Sequence, residues 1–134
     1  MEENIVVIML RNAETGFLDK ELATITLATD GGLINLTAEA AEAGYTVRAK
    51  LTTQRDVSNW EFNAIYDYYD TDIYANQAAC AELEDCENPT WALSFPWDGD
   101  ADALTQALNT LLAAHVAELD SVYEAISGLR AEYE

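Results

Sequence analysis

Three observations predict an α+β fold: a strict two-residue alternation at residues 45–52, several short β-branched segments before it, and apolar residues spaced three and four apart through the last third of the chain. The expected architecture is an antiparallel β-meander of about four strands plus a fifth late strand, packed by a central helix and a long C-terminal helix. At 134 residues the chain fits a single domain, because halves would be too small to bury comfortable cores. Residues 1–55 form its strand-rich part and residues 56–134 an acidic helix–strand–helix part.

The β-branched run at residues 5–10 predicts a buried first strand, and residues 12–16 are turn material. Residues 22–29 alternate around threonines and predict a second strand with Ile25 and Leu27 on one face. Asp30-Gly31-Gly32 reads as a hairpin turn, since glycine supplies the positive φ that tight turns need. A third strand follows over residues 33–37 and runs into helix-favouring residues 38–43. In the fourth, Tyr45, Val47, Ala49 and Leu51 point one way, and Thr46, Arg48, Lys50 and Thr52 the other. One sheet face is therefore solvated, and it holds Arg48 and Lys50 together.

Ser58-Asn59-Trp60-Glu61 matches a capping box that opens a helix to about Tyr74. Phe62, Ile65, Tyr66, Tyr69 and Ile73 would be its buried stripe. Residues 75–88 read as an acidic connector with weak helical character. Residues 91–97 predict the fifth strand, in which Pro96 implies an edge position or an early stop. From Ala101 to about Tyr133, Leu104, Leu108, Leu111, His115, Leu119, Val122, Ile126, Leu129 and Tyr133 form a heptad-like seam. One unbroken helix would span about 45–50 Å, against a radius of gyration of about 14 Å for a domain of this size. It must break near Gly128 or overhang the sheet and find a partner. Leu108, His115, Leu119, Val122 and Ile126 are the candidate seam of a possible homodimer.

Charge is unevenly distributed. Residues 1–55 hold five cations and eight acids, whereas residues 56–129 hold fifteen acids and no lysine or arginine, within a net charge of −19. Such a chain repels nucleic acid and anionic membrane, so neither is an expected partner; long-range attraction would be to something cationic. Organism-wide acidity for solubility accounts for the charge equally well. The start, Met1-Glu2-Glu3-Asn4, is acidic where a signal peptide is basic, and the six-residue apolar run after it is too short for a signal core or a membrane span. A cytoplasmic protein is expected, with Cys80 and Cys86 as reduced thiols.

No catalytic, cofactor-binding or metal-binding residues are assigned. Asp98-Gly99-Asp100-Ala101-Asp102 resembles the opening of a calcium loop, but Ala103 stands where the loop needs glycine and Asn109 where it needs glutamate, which leaves helix capping. Cys80 and Cys86 lack the spacing and the companion ligands of a zinc site. His115 could act as a base or, with Glu118, as a ligand, yet it sits on the apolar seam. There is no nucleophile elbow and no glycine-rich phosphate loop. The strongest surface signal is Tyr68 with Asp67 and Asp72, an exposed aromatic among acids suited to an arginine-rich partner.

At residues 55–61, at Asp67-Tyr68-Tyr69-Asp70, at Asn88-Pro89-Thr90-Trp91 and near residues 119–126, the chain resembles a family of short uncharacterised bacterial proteins, a domain of unknown function of clostridial-type bacteria. That resemblance implies a small cytoplasmic protein and carries over no catalytic residue. The leading expectation is a non-enzymatic interaction or regulatory module whose protein partner has a basic surface. One alternative is a nucleic-acid-mimic inhibitor of the anti-restriction or anti-CRISPR type. The other is a small metal-binding protein or enzyme.

Overall fold

The computed structural model describes residues 4–12, 14–27, 32–42, 44–53, 55–75, 77–83 and 86–133. Their elements run β1 (Asn4–Arg11), β2 (Leu18–Leu27), β3 (Leu33–Ala41), β4 (Gly44–Thr52), α1 (Asn59–Tyr68), a 3-10 turn (Thr71–Tyr74), β5 (Ala79–Leu83), β6 (Thr90–Trp97), α2 (Ala101–Ile126) and α3 (Arg130–Tyr133). The strands form one sheet in the order β2-β1-β3-β4-β6-β5.

The sheet is mixed, which corrects the expected all-antiparallel meander. β1 and β3 pair in parallel through Met9 opposite Thr37 and Leu10 opposite Ala38, while every other pairing is antiparallel. β2 and β3 lie on opposite sides of β1, so residues 30–32 do not close a hairpin between paired strands. Asp30 and Gly31 themselves lie outside the described residues, as do Met1 to Glu3 and, in the acidic connector, Asn76, Glu84 and Asp85. Asn12 builds the β1–β2 turn, its side-chain oxygen accepting from the backbone N–H groups of Glu14 (2.8 Å) and Thr15 (3.2 Å).

Three further elements depart from the sequence reading. β3 continues through the alanines expected to turn helical, because Ala38 is fully buried opposite Val47 and burial in a paired strand outweighs a weak helix preference. The central helix stops at Tyr68 instead of reaching Tyr74: Tyr69 is extended (ψ 125°), and a separate 3-10 turn follows, capped by Asp70 accepting from the N–H of Asp72. Within the connector, residues 79–83 form strand β5 on the outer side of β6. This makes β6 an interior strand. Pro96 is tolerated because the β5 register starts at Ala79 opposite Ser94, so the proline lies beyond the end of β5.

One face of the sheet carries the core. Val47, Ala49 and Leu51 of β4 join Trp91, Leu93, Phe95 and Trp97 of β6 there, and α1 and α2 pack over them. α2 runs 26 residues, then turns at Ser127 and Gly128 into the four-residue α3, so the long C-terminal segment breaks and does not overhang. α1 opens with Glu61 closing the capping box, accepting from the N–H of Ser58 at 3.0 Å. The Tyr66 hydroxyl donates to the Leu83 carbonyl and accepts from the Thr90 N–H (2.9 Å), tying the β5–β6 pair to α1.

Gly32 sits where two constraints coincide. Its φ is +83°, and a Cβ there would run into the Thr52 carbonyl oxygen while lying 3.5 Å from His115 Nε2. Gly32→Ala is therefore expected to lose about 2 kcal/mol or more of stability, read as a fall in the urea midpoint at unchanged slope; a shift within error would mean the β3 entry relaxes freely.

Candidate functional site

The heptad-like seam is spent inside the chain. Leu108, His115, Leu119, Val122 and Ile126 are all at most 2% exposed, packed against the chain's own sheet and α1. Their side chains are taken up within the chain itself: an apolar stripe at three- and four-residue spacing serves a sheet face as well as a helical partner.

His115 instead closes a buried polar chain. Its Nε2 lies 2.8 Å from the Thr52 carbonyl oxygen and its Nδ1 2.8 Å from the Tyr69 hydroxyl, which is 2.5 Å from the Tyr74 hydroxyl. A carbonyl can only accept, so Nε2 carries the proton and Nδ1 accepts. Tyr69 then donates to His115, and Tyr74 donates to Tyr69. Trp91 stacks on Tyr69 with ring centroids 4.1 Å apart and meets His115 edge-on at 5.4 Å. Burial pushes the imidazole below its ordinary range; it pushes Tyr74 up to about 12 and Tyr69 further up. Burial holds the three groups neutral.

The other candidates take structural roles. Burial pushes the Cys80 thiol up to about 11, which disfavours its thiolate at neutral pH, and Cys80 and Cys86 are free thiols. Asp98 accepts from the N–H of Asp100 (2.9 Å) and Asp100 from that of Asp102 (3.2 Å), winding the segment into the N-cap of α2. Among the described residues no group of three or more His, Cys, Asp or Glu side chains could hold a metal ion. Among the described residues no helix is long and apolar enough to cross a membrane.

Two surfaces remain. On the helical layer Tyr68 is 45% exposed at the end of α1. Next to it, Asp67 accepts from the Tyr133 hydroxyl of α3 at 2.8 Å, and Asp72 is exposed in the 3-10 turn. Nearby, Glu118 of α2 accepts from the N–H of Asp70 (2.9 Å). Glu61 is held down at about 2 chiefly by its 2.8 Å bond from Arg55, whose guanidinium also lies 4.6 Å from the Tyr123 ring centre.

The second surface is the open face of the sheet, which no helix covers among the described residues. Register aligns Thr37, Arg48, Ser94 and Ala79 in one row across β3, β4, β6 and β5, and Asn35, Lys50, Ala92 and Ala81 in the next. Register shifts within the β1–β2 and β3–β4 pairings bend this face. A concavity of about 380 Å³ lies over these rows, reached also by Arg11 at the end of β1. Three of the chain's six cations thus meet over a floor of small side chains. Arg48 bonds Glu39 through Nε (3.2 Å), and Arg11 and Lys50 form no ion pair among the described residues. Alternation in β4 located Arg48 and Lys50 on this face. Arg11 and the alanine floor were not legible, because Ala79 and Ala81 belong to a strand whose alanines read as weak helix.

An imidazole sealed between a carbonyl and a hydroxyl gives a pH signature. With its native pKa below 6.5, the unfolded chain binds a proton that the native state does not; this contribution is complete above pH 6.5 and declines as pH falls below it. His115→Gln is expected to cost about 2–4 kcal/mol near pH 7.5, and the gap to wild type should narrow toward about pH 5.5. Acid relaxes carboxylate repulsion in both proteins alike, so the difference between their urea midpoints isolates the histidine. A gap independent of pH would rule out the neutral imidazole.

Nothing among the curated proteins or the solved structures matches the chain. A family model does match it, over residues 1–134: the chain belongs to a family of unknown function, DUF6762.

Proposed function

We propose that the protein is a non-enzymatic interaction module that presents its acidic helical layer to a protein with a basic, arginine-rich surface. Tyr68 carries this reading. Its neighbours Ile65 and Tyr69 are buried, while the Tyr68 ring stays 45% exposed among carboxylates. A guanidinium can lie on such a ring and reach a carboxylate in the same contact, which an ammonium does less well. Asp67, held by Tyr133, is oriented before any partner arrives, so less side-chain freedom is lost on binding. The absence of cations between Arg55 and Arg130 keeps the layer predominantly negative and attractive to a basic surface.

A phosphate-mimicking track has less support. Glu61 is paired with Arg55, Asp100 caps α2 and Glu118 caps the Asp70 N–H. Acids committed one by one to local structure favour a discrete contact over a regular array.

Titration of the folded protein with oligo-arginine and oligo-lysine peptides of equal length tests the reading. Binding of oligo-arginine should fall steeply with salt, and Tyr68→Ala should weaken it about fivefold, the effect of losing roughly 1 kcal/mol of cation–π contact, with a smaller effect on oligo-lysine. Equal binding of oligo-arginine by wild type and Tyr68→Ala would remove Tyr68 as the contact centre.

A further inference from the structure

We infer that the concave open face of the sheet is a binding site for a small organic anion: a molecule with a slim apolar body and one carboxylate or phosphate head. The site stands apart from the acidic helical layer and does not depend on the function proposed for it.

The observation is a juxtaposition that charge alone disfavours. In a chain of net −19 with six cations, Arg11, Arg48 and Lys50 converge on one concavity of about 380 Å³. Its volume falls within the roughly 300–1,000 Å³ of small-molecule sites. Glu39 offsets one of the three charges through Arg48 Nε, and in doing so holds that guanidinium in place with its two Nη groups unpaired among the described residues. A guanidinium edge beside an ammonium is the arrangement that accepts a carboxylate or phosphate, the first by paired N–H bonds and the second as a point charge. Asn35 and Thr37, in the same two rows, supply neutral polar contacts around the head.

The floor says what else the ligand must carry. Beyond Arg48 and Lys50 the two rows end in Ser94 and Ala79 and in Ala92 and Ala81. These short side chains leave space above adjacent strands where long ones would fill it. They offer a flat, weakly polar surface to a ring or short chain and nothing to a second charged group. A polyanion such as nucleic acid does not fit, since its remaining charges would meet the acidic rest of the molecule. A singly headed anion senses mainly the charges within about one Debye length, roughly 8–10 Å, and the lining of the concavity carries Arg11, Arg48 and Lys50 and no acid.

Calorimetric titration and amide chemical-shift mapping of the whole chain test this with four probes: 1-naphthyl phosphate, 1-naphthoate, neutral 1-naphthol and inorganic phosphate. One or both of the headed aromatics should bind with one-to-one stoichiometry and shift amides of β3 to β6, the stronger of the two identifying the head group. Naphthol and inorganic phosphate should each bind at least about tenfold more weakly, as loss of a charge-assisted bond or of the apolar contact requires. The double variant Arg48→Gln/Lys50→Gln should lose at least about tenfold in affinity for the headed probe. Ala92→Phe, which fills the floor from a solvent-facing position, should abolish binding with little change in melting temperature. Naphthol binding as tightly as the headed probes, inorganic phosphate binding as tightly, full affinity in both variants, or shifts confined to the helical layer would each overturn the assignment. So would a doubled mass in light scattering that the probe does not reverse, because a second copy would then be the occupant.

Discussion

The Thr52 carbonyl is the point on which the layers of this protein are registered. It is an acceptor only, so it forces the proton of His115 onto Nε2 and leaves Nδ1 to accept from Tyr69. Directionality then runs outward through Tyr74. Thr52 also receives β3, donating its N–H to the Gly32 carbonyl at 2.9 Å. One residue at the end of β4 thereby fixes the helix above it and the strand beside it. Buried polar chains of this kind tolerate little rearrangement, because each group displaced from its partner is left unsatisfied in a medium that cannot hydrate it.

That constraint explains the least expected part of the architecture. Tyr69 continues the apolar spacing of α1, yet its hydroxyl must reach His115 on α2 while its ring stacks on Trp91 of β6. The backbone leaves the helix at Tyr69, the 3-10 turn brings Tyr74 to the same cluster, and the chain is returned to the sheet edge as β5. A continuous helix to residue 74 would have carried Tyr69 and Tyr74 around the axis and away from a common partner. The break in the helix thus goes with one buried contact, and the chain beyond it is free to pair with β6 as β5.

Sequence periodicity reads whichever force dominates locally, and this determines what was legible. The alternation of β4 reports a single buried face and located both the core residues and the Arg48–Lys50 pair. The seam of α2 was equally clear as a pattern, but a pattern reports burial without saying against what; the chain's own sheet and α1 cover it. The parallel pairing of β1 with β3 depends on contacts between residues far apart in sequence and leaves no local mark. β5 was hidden for a different reason: alanine favours helix intrinsically, and only pairing with β6 holds Ala79 and Ala81 extended. The cationic concavity inherits that blindness. Its two β4 cations were visible, while its floor and Arg11 come from elements that only the folded sheet brings together.

Placing the two kinds of charge on opposite sides of one domain has a kinetic consequence. The field at long range is set by the net charge of −19, so under the proposed function a basic macromolecule is drawn in and turned toward the helical layer, where acids outnumber cations. Arg11, Arg48 and Lys50 repel it from the sheet face at close range. A small anion experiences the reverse sequence: repulsion outside about one Debye length and attraction once it reaches the concavity. Added salt therefore slows the first encounter and eases the second. Under the two proposals the surfaces do not compete, because each repels the ligand of the other by charge.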